Sequence, residues 1–430
     1  MSEVRPDDRP SDKAIEFDII IVGAGMVGLT MALMLARAME SESNFRLALV
    51  DAHKIKATQK PAVTKDANKV QQFDARVSAL TAKSRALFDA LGLWQFISPQ
   101  ACPYQNMYVW DSEGTGNISF SALDIHQTAL GYIVENSIIT EALNSALEQH
   151  KNIRQFRGEQ VSSFIGDAGQ DQQTKNILSL ADGMELHAKL VIAADGANSF
   201  IRQQADFRLR EWSYEQQAIV ATVLTEKPHD FTAAQCFLPG GPLAFLPLLD
   251  LDSDRDAQCF SSIVWSCNPE QAEFLMAVDD TTFQQHLQEA FENRQGAVKQ
   301  IGKRMSFPLW QRHATSYVKP GLTLIGDAAH SIHPLAGQGV NMGLLDAECL
   351  YEVLIAAWHK GENFSSEQVL SRYQRQRKAH NLSMMGLMEA FKRGFSTNDL
   401  AVRWLRNIGL DAVDKALPLK RQLMKKAMGI

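Results

Sequence analysis

The sequence predicts an α/β protein with a parallel nucleotide-binding sheet, a second, mostly antiparallel sheet inserted into it, and a helical C-terminal region. Three observations predict this architecture. An apolar strand over residues 19–22 runs directly into spaced glycines and a helix. Short strand-like runs separated by proline and glycine occupy residues 207–305. The chain beyond residue 343 has a helical pattern to its end, and its 430 residues suffice for two or three domains.

The first strand and its glycines form a Rossmann-like nucleotide-binding motif. Gly23 and Gly25 allow a tight turn with the backbone against a ligand, and Gly28 lets the next helix pack closely on the strand. The N–H groups at the start of that helix favour a pyrophosphate. A second strand ends at Asp51, 23 residues beyond Gly28, near the spacing of about 20 expected for an acid that binds a ribose hydroxyl. These features favour dinucleotide binding over a plain core βα unit.

Two later stretches lead back to the carboxyl edge of the same sheet. A buried strand over residues 189–194 runs into an Asp-Gly pair at 195–196. A second apolar run ends in a Gly-Asp pair at 326–327, which small residues and a helix follow. Ligands bind at this edge in open α/β folds, so both stretches are candidates for the nucleotide site. The alternative is a helix cap at Asp327 and plain loop glycines after it.

Cysteine and histidine spacing predicts no metal site. His330 and His333 lie three residues apart without a nearby cysteine or acid cluster, which favours loop histidines over metal ligands. No CxxC pair is present, so a reducing cytosol is the simplest compartment. The five cysteines are scattered at Cys102, Cys236, Cys259, Cys267 and Cys349.

Charge is unevenly distributed along the chain. The net charge of −6 does not suggest nucleic-acid binding, but residues 401–430 carry seven Lys/Arg against two Asp. Apolar residues of this stretch share one helical face, with basic residues off it; the apolar set is Leu419, Leu423, Ala427 and Ile430, and the basic set is Lys420, Arg421 and Lys425. Such a helix can lie on an anionic bilayer or dock a partner protein. A solvated basic helix is the alternative.

The three glycine–acid motifs together resemble the single-component flavin aromatic hydroxylases of the 4-hydroxybenzoate hydroxylase type. The closer resemblance is to the ubiquinone-biosynthesis hydroxylases, the UbiH/UbiF/UbiI (VisC) group, whose signature is similar to residues 333–341. Residues 75–79, 133–136, 244–248 and 427–429 also fit that group. Residues 118–120, 221–230, 262–266 and 307–309 look most like the UbiI branch, which hydroxylates a polyprenylphenol at ring position C5.

This resemblance implies an FAD-dependent monooxygenase that takes electrons from NAD(P)H and hydroxylates through a flavin hydroperoxide formed with O₂. Asp51 would bind the adenosine ribose, Arg76 would face the pyrophosphate, and Pro334, with His333 beside it, would border the flavin face where dioxygen reacts. The full set of implied cofactor-binding residues is Gly23, Gly25, Gly28, Asp51, Arg76, Asp195, Gly196, Arg202, Gly326, Asp327, Pro334, Gly337, Gly339, Val340 and Asn341. The candidate substrate-pocket residues are Phe245, Leu246, Pro247 and Trp265, which core packing would explain equally well.

The domain prediction has five segments: a disordered tail over 1–15; the first part of the FAD-binding domain over 16–206, with a substrate-side excursion near 77–110; a substrate-binding β-sheet domain over 207–305; the second part of the FAD-binding domain over 306–345; and C-terminal helices over 346–430. The expected location is the cytoplasm, with peripheral contact at the inner face of the membrane and a ubiquinone-biosynthesis complex as a candidate partner.

Three other functions compete with hydroxylation at C5. Hydroxylation at C6 or C1 of the same pathway is the nearest. A flavin dehydrogenase or disulfide reductase would need a second GxGxxG and often a redox cysteine pair, which the sequence lacks. A non-catalytic flavoprotein of the biosynthetic complex is the most distant, because no flavin motif is broken.

Overall fold

The computed structural model describes residues 14–55, 69–114, 116–167, 175–331 and 338–396, together with 418, 420–422 and 424. Within them, the strands are β1 Ile15–Val22, β2 Leu47–Asp51, β3 Val77–Leu80, β4 Cys102–Tyr104, β5 Asn106–Asp111, β6 Asn117–Ser121, β7 Gly131–Glu135, β8 Ile153–Arg157, β9 Val161–Asp167, β10 Lys175–Leu180, β11 Glu185–Ala193, β12 Leu209–Thr225, β13 Thr232–Leu238, β14 Gly241–Pro247, β15 Phe260–Cys267, β16 Val298–Ile301, β17 Met305–Ala314, β18 Val318–Lys319, β19 Leu322–Leu324 and β20 His330–Ser331. The helices are α1 Met26–Ala38, α2 Ala82–Ala90, α3 Trp94–Ile97, α4 Asn136–Leu147, α5 Phe200–Gln204, α6 Pro269–Ala277, α7 Asp280–Ala290, α8 Gln338–His359 and α9 Glu367–Ser396.

The first sheet carries the nucleotide-binding motif at its centre. β1 pairs in parallel with β11 on one side and β2 on the other, and β19 extends the sheet beyond β11. Residues 17–22 of β1 are all buried, because the sheet is covered on both faces, and this explains the apolar run over residues 19–22. The parallel register brings the ends of β1, β2, β11 and β19 to one edge, where the three predicted motifs meet.

The second sheet has nine strands and lies across that edge. Its order is β20-β17-β12-β15-β14-β13-β5-β6, with β16 paired to β12. Neighbouring strands are antiparallel, as predicted for residues 207–305, except that β13 and β5 are parallel. One face packs on α6 and α7 around Phe283 and Phe291, forming a core separate from that of the first sheet.

The second sheet extends beyond residues 207–305 on both sides. On one side, β5 and β6 form a hairpin that joins this sheet through β13 rather than the nucleotide sheet. At the other end, β17 pairs with β12 along most of its length. The chain therefore crosses between the two sheets several times, and the insertion is less compact in sequence than the predicted boundaries.

Helices α8 and α9 pack over the first sheet beside α1. Gly343 of α8 lies so close to α1 that a Cβ there would approach the Val27 side chain to 2.7 Å. This tight packing fixes the start of α8 near the glycine turn. Among the described residues, no helix has the length and apolarity needed to cross a bilayer.

Candidate active site

A cavity of about 420 Å³ lies between the carboxyl edge of the first sheet and the open face of the second. The first-sheet side is lined by Gly25, Met26, Val27, Gly196, Asp327 and Val340, and the second-sheet side by Val220, Gln235, Ala244, Leu246, Ser262 and Val264. Arg76 and Gly339 also reach it. Six of the residues that the resemblance implies for the cofactor thus line one cavity, although they come from four separate parts of the chain.

The three glycines after β1 have different roles. Gly23 has a φ of +104°, and a Cβ on it would lie 2.3 Å from the Ala194 carbonyl oxygen. A Cβ on Gly28 would lie 1.9 Å from the Gly23 carbonyl oxygen. A Cβ on Gly25 would meet no atom within 4 Å, and this residue lines the cavity. Gly23 and Gly28 therefore shape the turn, whereas Gly25 keeps its ligand side open.

The N-terminus of α1 faces this cavity without a cap. Gly25 supplies no side-chain hydrogen bond, and the first turn of α1 contains no acidic residue. The first N–H groups of a helix have no partner within it, so these groups are available to a negatively charged ligand. Asp51 supports the turn from below: its Oδ2 accepts the Ala24 N–H at 2.6 Å, and its Oδ1 accepts the His53 N–H at 2.7 Å.

The loop after β11 places an acid and a glycine beside the turn. Gly196 has a φ of +85° and open space where a Cβ would lie. Asp195 Oδ2 accepts the Ile201 N–H at 3.2 Å, while its buried Oδ1 has no partner among the described residues. Burial raises the pKa of Asp195, although hydrogen bonds from Ser199 and Ile201 oppose the shift.

Arg202 is buried beneath the cavity and does not line it. Its Nη1 donates to the Ala328 carbonyl at 2.9 Å, and its Nη2 donates to the Ala197 carbonyl at 2.8 Å. The guanidinium thus links the loop after β11 to the loop after β19. This arrangement makes it a positioning residue for both loops in the structure.

Asp327 and Arg76 face each other across the cofactor side of the cavity. Asp327 is reachable from the cavity, but protein surrounds its other sides. Desolvation raises its pKa, while the charges of His330 and Arg76 oppose that shift. The Arg76 side chain is exposed at the wall, so a cation is available there for a phosphate.

A buried polar network that the sequence did not reveal holds Gly326 in place. Asp346 of α8 is fully buried, and its Oδ2 accepts from the Gly326 N–H at 3.2 Å and from His330 Nε2. Its Oδ1 accepts from Arg377 Nε at 2.8 Å and Asn381 Nδ2 at 3.2 Å. Burial disfavours the ionised acid, but His330 and Arg377 outweigh burial, so the pKa of Asp346 is lowered. No local motif marks this network, because its members are separated by up to 55 residues.

His330 is a hydrogen-bonding partner of Asp346 in this network. Among the residues that the structure describes, no group of three or more His, Cys, Asp or Glu side chains is arranged to hold a metal ion. His333, Pro334 and Gly337 lie outside the described residues.

Asn341 fixes the start of α8 through its side chain. Its Oδ1 accepts the Thr81 N–H at 3.0 Å and the Ser84 hydroxyl at 2.7 Å, and its Nδ2 donates to the Ala79 carbonyl at 2.8 Å. The Asn341 amide therefore hydrogen-bonds the junction between β3 and α2. Gly339 and Val340, the two residues before Asn341, are the residues of this segment that reach the cavity.

The four candidate substrate-pocket residues divide between the two faces of the second sheet. Leu246 lines the cavity. Phe245 and Trp265 pack on the opposite face in the core with α6 and α7, where Phe245 stacks on Phe291 at 3.8 Å between ring centroids. Pro247 shares the side of β14 that Phe245 occupies, because side chains alternate along a strand. The structure thus gives Phe245 and Trp265 the core-packing role that the sequence left open.

The first-sheet side of the cavity fits FAD. Open backbone at Gly25, Gly196 and Gly339 lets an elongated ligand approach the protein closely. The uncapped start of α1 and Arg76 suit a pyrophosphate. The unpartnered Oδ1 of Asp195 lies beside the same edge. The features are distributed along one wall, as a long dinucleotide requires.

Comparison with known proteins agrees with this geometry. Residues 16–387 match the FAD binding domain family. The chain is 38% identical to the 3-demethoxyubiquinol 3-hydroxylase of Escherichia coli (strain K12), covering 96% of this chain and 98% of that protein. It is 35% identical to the mitochondrial ubiquinone biosynthesis monooxygenase COQ6 of Xenopus tropicalis, covering 95% and 92%. Among solved structures, the p-nitrophenol 4-monooxygenase PnpA from Pseudomonas putida DLL-E4 has a TM-score of 0.72 at 20% identity, covering 96% and 98%, which shows the shared fold.

Monooxygenases of this class typically use NAD(P)H and O₂ together with FAD. The motifs, the cavity and these similarities converge on one assignment. The chain belongs to the family of FAD-dependent ubiquinone-biosynthesis hydroxylases, with the 4-hydroxybenzoate hydroxylase-like fold, and it is an FAD-dependent monooxygenase.

Proposed function

We propose that this protein hydroxylates the aromatic ring of a polyprenylated phenol in ubiquinone biosynthesis, at ring position C5. The observation that carries the proposal is the cavity itself, in which a wall suited to FAD faces a largely apolar sheet surface. An apolar surface of this kind suits an aromatic ring better than a charged metabolite. The activities for which the bacterial and vertebrate relatives are named support the pathway.

The cofactor roles proposed for individual residues follow from where they lie. FAD, when bound, supplies the redox chemistry that activates dioxygen. Gly23 and Gly28 would shape the turn, Gly25 and the start of α1 would bind the pyrophosphate with Arg76, and Asp51 would reach the ribose through its free lone pairs.

The remaining implied residues fall into two groups. Gly196, Asp327, Gly339 and Val340 would line the flavin half of the cofactor. The residues that would position those loops without lining the cavity are Asp195, Arg202, Gly326 and Asn341. The roles of Pro334 and His333 at the flavin face, and of Gly337 beside it, are proposed from the resemblance alone.

The protein contributes binding, orientation and exclusion of water to the reaction. The second sheet closes the cavity on the side away from the glycine turn, with Leu246, Val264 and Val220 as apolar contacts for a ring. Exclusion of water by these residues would protect the chemistry that FAD supplies from side reactions. NAD(P)H is proposed as the electron donor.

A second ring position is favoured by one observation. The E. coli relative is named for hydroxylation of 3-demethoxyubiquinol, whereas the C5 reaction proposed here acts on a polyprenylphenol. Another ring position of the same pathway, C6 or C1, is therefore the second candidate for this chain.

Lipid analysis of a deletion strain separates these positions. Deleting the gene in its own host and extracting lipids should reveal an accumulated intermediate that lacks the C5 oxygen. Restoring the wild-type gene should clear this intermediate, and restoring a Gly28→Ala variant should not. An accumulated intermediate that already carries the C5 oxygen would contradict C5 and support the second candidate.

The basic C-terminal stretch is proposed to make peripheral contact with an anionic membrane at the cytoplasmic face. One side of the described part of this stretch packs on the rest of the protein, where Met424 is buried with Ala122, Ile125 and Leu130. Lys420 Nζ lies 3.8 Å from Asp124 Oδ2. Arg421 is exposed on the other side, where it can meet acidic headgroups.

Vesicle co-sedimentation tests this contact. Charge reversal by Arg421→Glu, and truncation before Pro418, should both lower binding to phosphatidylglycerol vesicles, with neutral phosphatidylcholine vesicles as the control. Binding that neither change reduces would exclude the segment as a membrane contact. A partner protein of the biosynthetic complex is then the next ligand to test.

A further inference from the structure

The second-sheet side of the cavity contains one long polar side chain, that of Gln235. Gln235 lies in the middle of β13, is 8% exposed and lines the cavity. Its amide makes no hydrogen bond to any of the described residues, although buried amides in proteins are normally paired. The amide atoms are not among the fully buried polar atoms that lack a partner, so they face the cavity and are available to a group that occupies it.

The residues around Gln235 are small and apolar. In register across the sheet, Gln235 lies beside Ala244 of β14, and Ala244 lies beside Val264 of β15. Val220 of β12 continues the same row. These side chains leave space above the sheet and offer no hydrogen bond, so the Gln235 amide is the hydrogen-bonding group of this row. The Ser262 and Ser266 hydroxyls, two residues on either side of Val264 along β15, also line the cavity.

The charged groups of the cavity are at its other side. Within the described part of the chain, the titratable side chains on the cavity wall are Arg76, Asp327 and Tyr104. Burial raises the pKa of Tyr104 to about 12, so it stays protonated at neutral pH. The described surface around Gln235 thus provides neutral hydrogen-bonding groups, and an amide can both donate to and accept from a neutral hydroxyl.

We infer that the Gln235 carboxamide binds the hydroxyl of a neutral phenolic substrate and selects phenols over the corresponding ring ethers. A hydroxyl can donate to Gln235 Oε1, whereas a methyl ether cannot and would leave that oxygen unpaired. Sites that bind a hydroxyl in this way discriminate strongly against ligands that lack it. This inference rests on the proposed function, because it assigns a substrate contact within the same cavity.

Equilibrium binding to the FAD-loaded full-length protein tests the assignment. The probes are 2-geranylphenol and its methyl ether, 2-geranylanisole. Wild-type protein should bind the phenol about tenfold more tightly than the ether, which corresponds to one good hydrogen bond. Gln235→Met, a variant of similar size, should weaken phenol binding by about tenfold and leave ether binding nearly unchanged. A wild-type ratio near one overturns the assignment without any variant.

A matched control comes from the same sheet. Gln300 of β16 also has a buried Oε1 without a partner, but it does not line the cavity. Gln300→Met should therefore keep the wild-type preference for the phenol. If Gln235→Met fails to take up FAD, Gln235→Leu replaces it. Retention of the full preference in a folded, FAD-loaded Gln235 variant overturns the assignment, because a structural amide would behave in that way.

Turnover of the same probe separates this inference from the proposed function. A wild-type protein that prefers the phenol in binding but never hydroxylates it would contradict the proposed function and leave the Gln235 contact intact. If the wild-type protein hydroxylates the phenol, and the Gln235 variant still prefers the phenol to the ether as strongly as wild type does, only the Gln235 contact is contradicted.

Discussion

At the scale of single residues, the glycines of the turn after β1 serve two purposes: Gly23 and Gly28 are required by backbone packing, and Gly25 leaves room for a ligand. A Cβ on Gly23 or Gly28 would meet backbone atoms that cannot move without displacing a central strand. A Cβ on Gly25 would meet no protein atom within 4 Å. A motif that reads as one unit in sequence thus contains two kinds of constraint, and they can be tested independently.

Gly28→Ala should destabilise the apo-protein, whereas Gly25→Ala should not. Gly28→Ala places a methyl group 1.9 Å from the Gly23 carbonyl oxygen, so it should cost at least about 2 kcal/mol and abolish FAD binding. Gly25→Ala should leave the apo-protein melting temperature unchanged and weaken FAD, because its methyl group points into the cavity. Thermal melting without FAD, followed by FAD titration, checks both. An unstable Gly25→Ala apo-protein would contradict the division.

His313 should make stability depend on pH. Burial, then repulsion from His330, Lys378 and Arg210, lowers the pKa of His313 to about 4, against about 6.5 in the unfolded chain. Between these values the unfolded state binds more protons, so stability falls as the pH falls from 6.5 towards 4, by at most about 3 kcal/mol.

Replacing this histidine should flatten the pH dependence. Between pH 7 and pH 5, the melting temperature of His313→Gln should fall less than that of the wild-type protein. The solvent-exposed His359 is the control, and His359→Gln should keep the wild-type dependence. Equal slopes in wild type and His313→Gln would exclude His313 as the source.

At the scale of elements, the Asp346 network ties α8 and α9 to the loop after β19. Asp346 lies on α8, Arg377 and Asn381 lie on α9, and Gly326 and His330 come from the loop that carries Asp327. The position of an acid on the cavity wall therefore depends on two helices behind it.

Asp346→Asn should be strongly destabilising. It leaves the buried Arg377 without its counter-charge and takes a carboxylate acceptor from His330, and breaking a buried ion pair typically costs about 3–5 kcal/mol. Glu348→Gln on the same helix removes a partly exposed ion pair with Lys83 and should cost less than about 1 kcal/mol. Thermal melting of both variants makes the comparison. Similar small losses in the two would show that the network contributes little to stability.

At the scale of the whole molecule, the cavity joins two separately packed sheets. Each sheet has its own apolar core, and the cavity wall draws on both. A ligand that fills this space contacts both units, so it should stabilise them together.

FAD should raise the melting temperature of the chain in one transition. At a free FAD concentration about 100 times the Kd, the expected stabilisation is about 2.7 kcal/mol. FMN lacks the adenylate that the turn after β1 is proposed to bind, so it should stabilise much less at equal concentration. Equal effects of FAD and FMN would contradict the proposed place of the adenylate.

Much of the fold and part of the site can be predicted from local sequence. The Thr81 cap of α2 and the amphipathic α4 follow from neighbouring residues alone, and the structure has both. By contrast, nothing near β5 predicts that it pairs in parallel with β13, more than 120 residues later. Pairing between distant strands depends on the packing of the whole sheet, so local patterns do not encode it.

The sequence by itself determined the nucleotide turn, the acid that supports it, and the glycines at the sheet edge, because these depend on backbone conformations that only certain residues allow. The tertiary structure alone decided which face of each strand meets the cavity. Leu246 lines it while Phe245 enters the core, although both are apolar neighbours on β14. It also decided the partners of Asp346 and the exposure of Gln235 to the cavity. These contacts depend on packing between residues that are far apart in the sequence, so no single stretch of sequence predicts them.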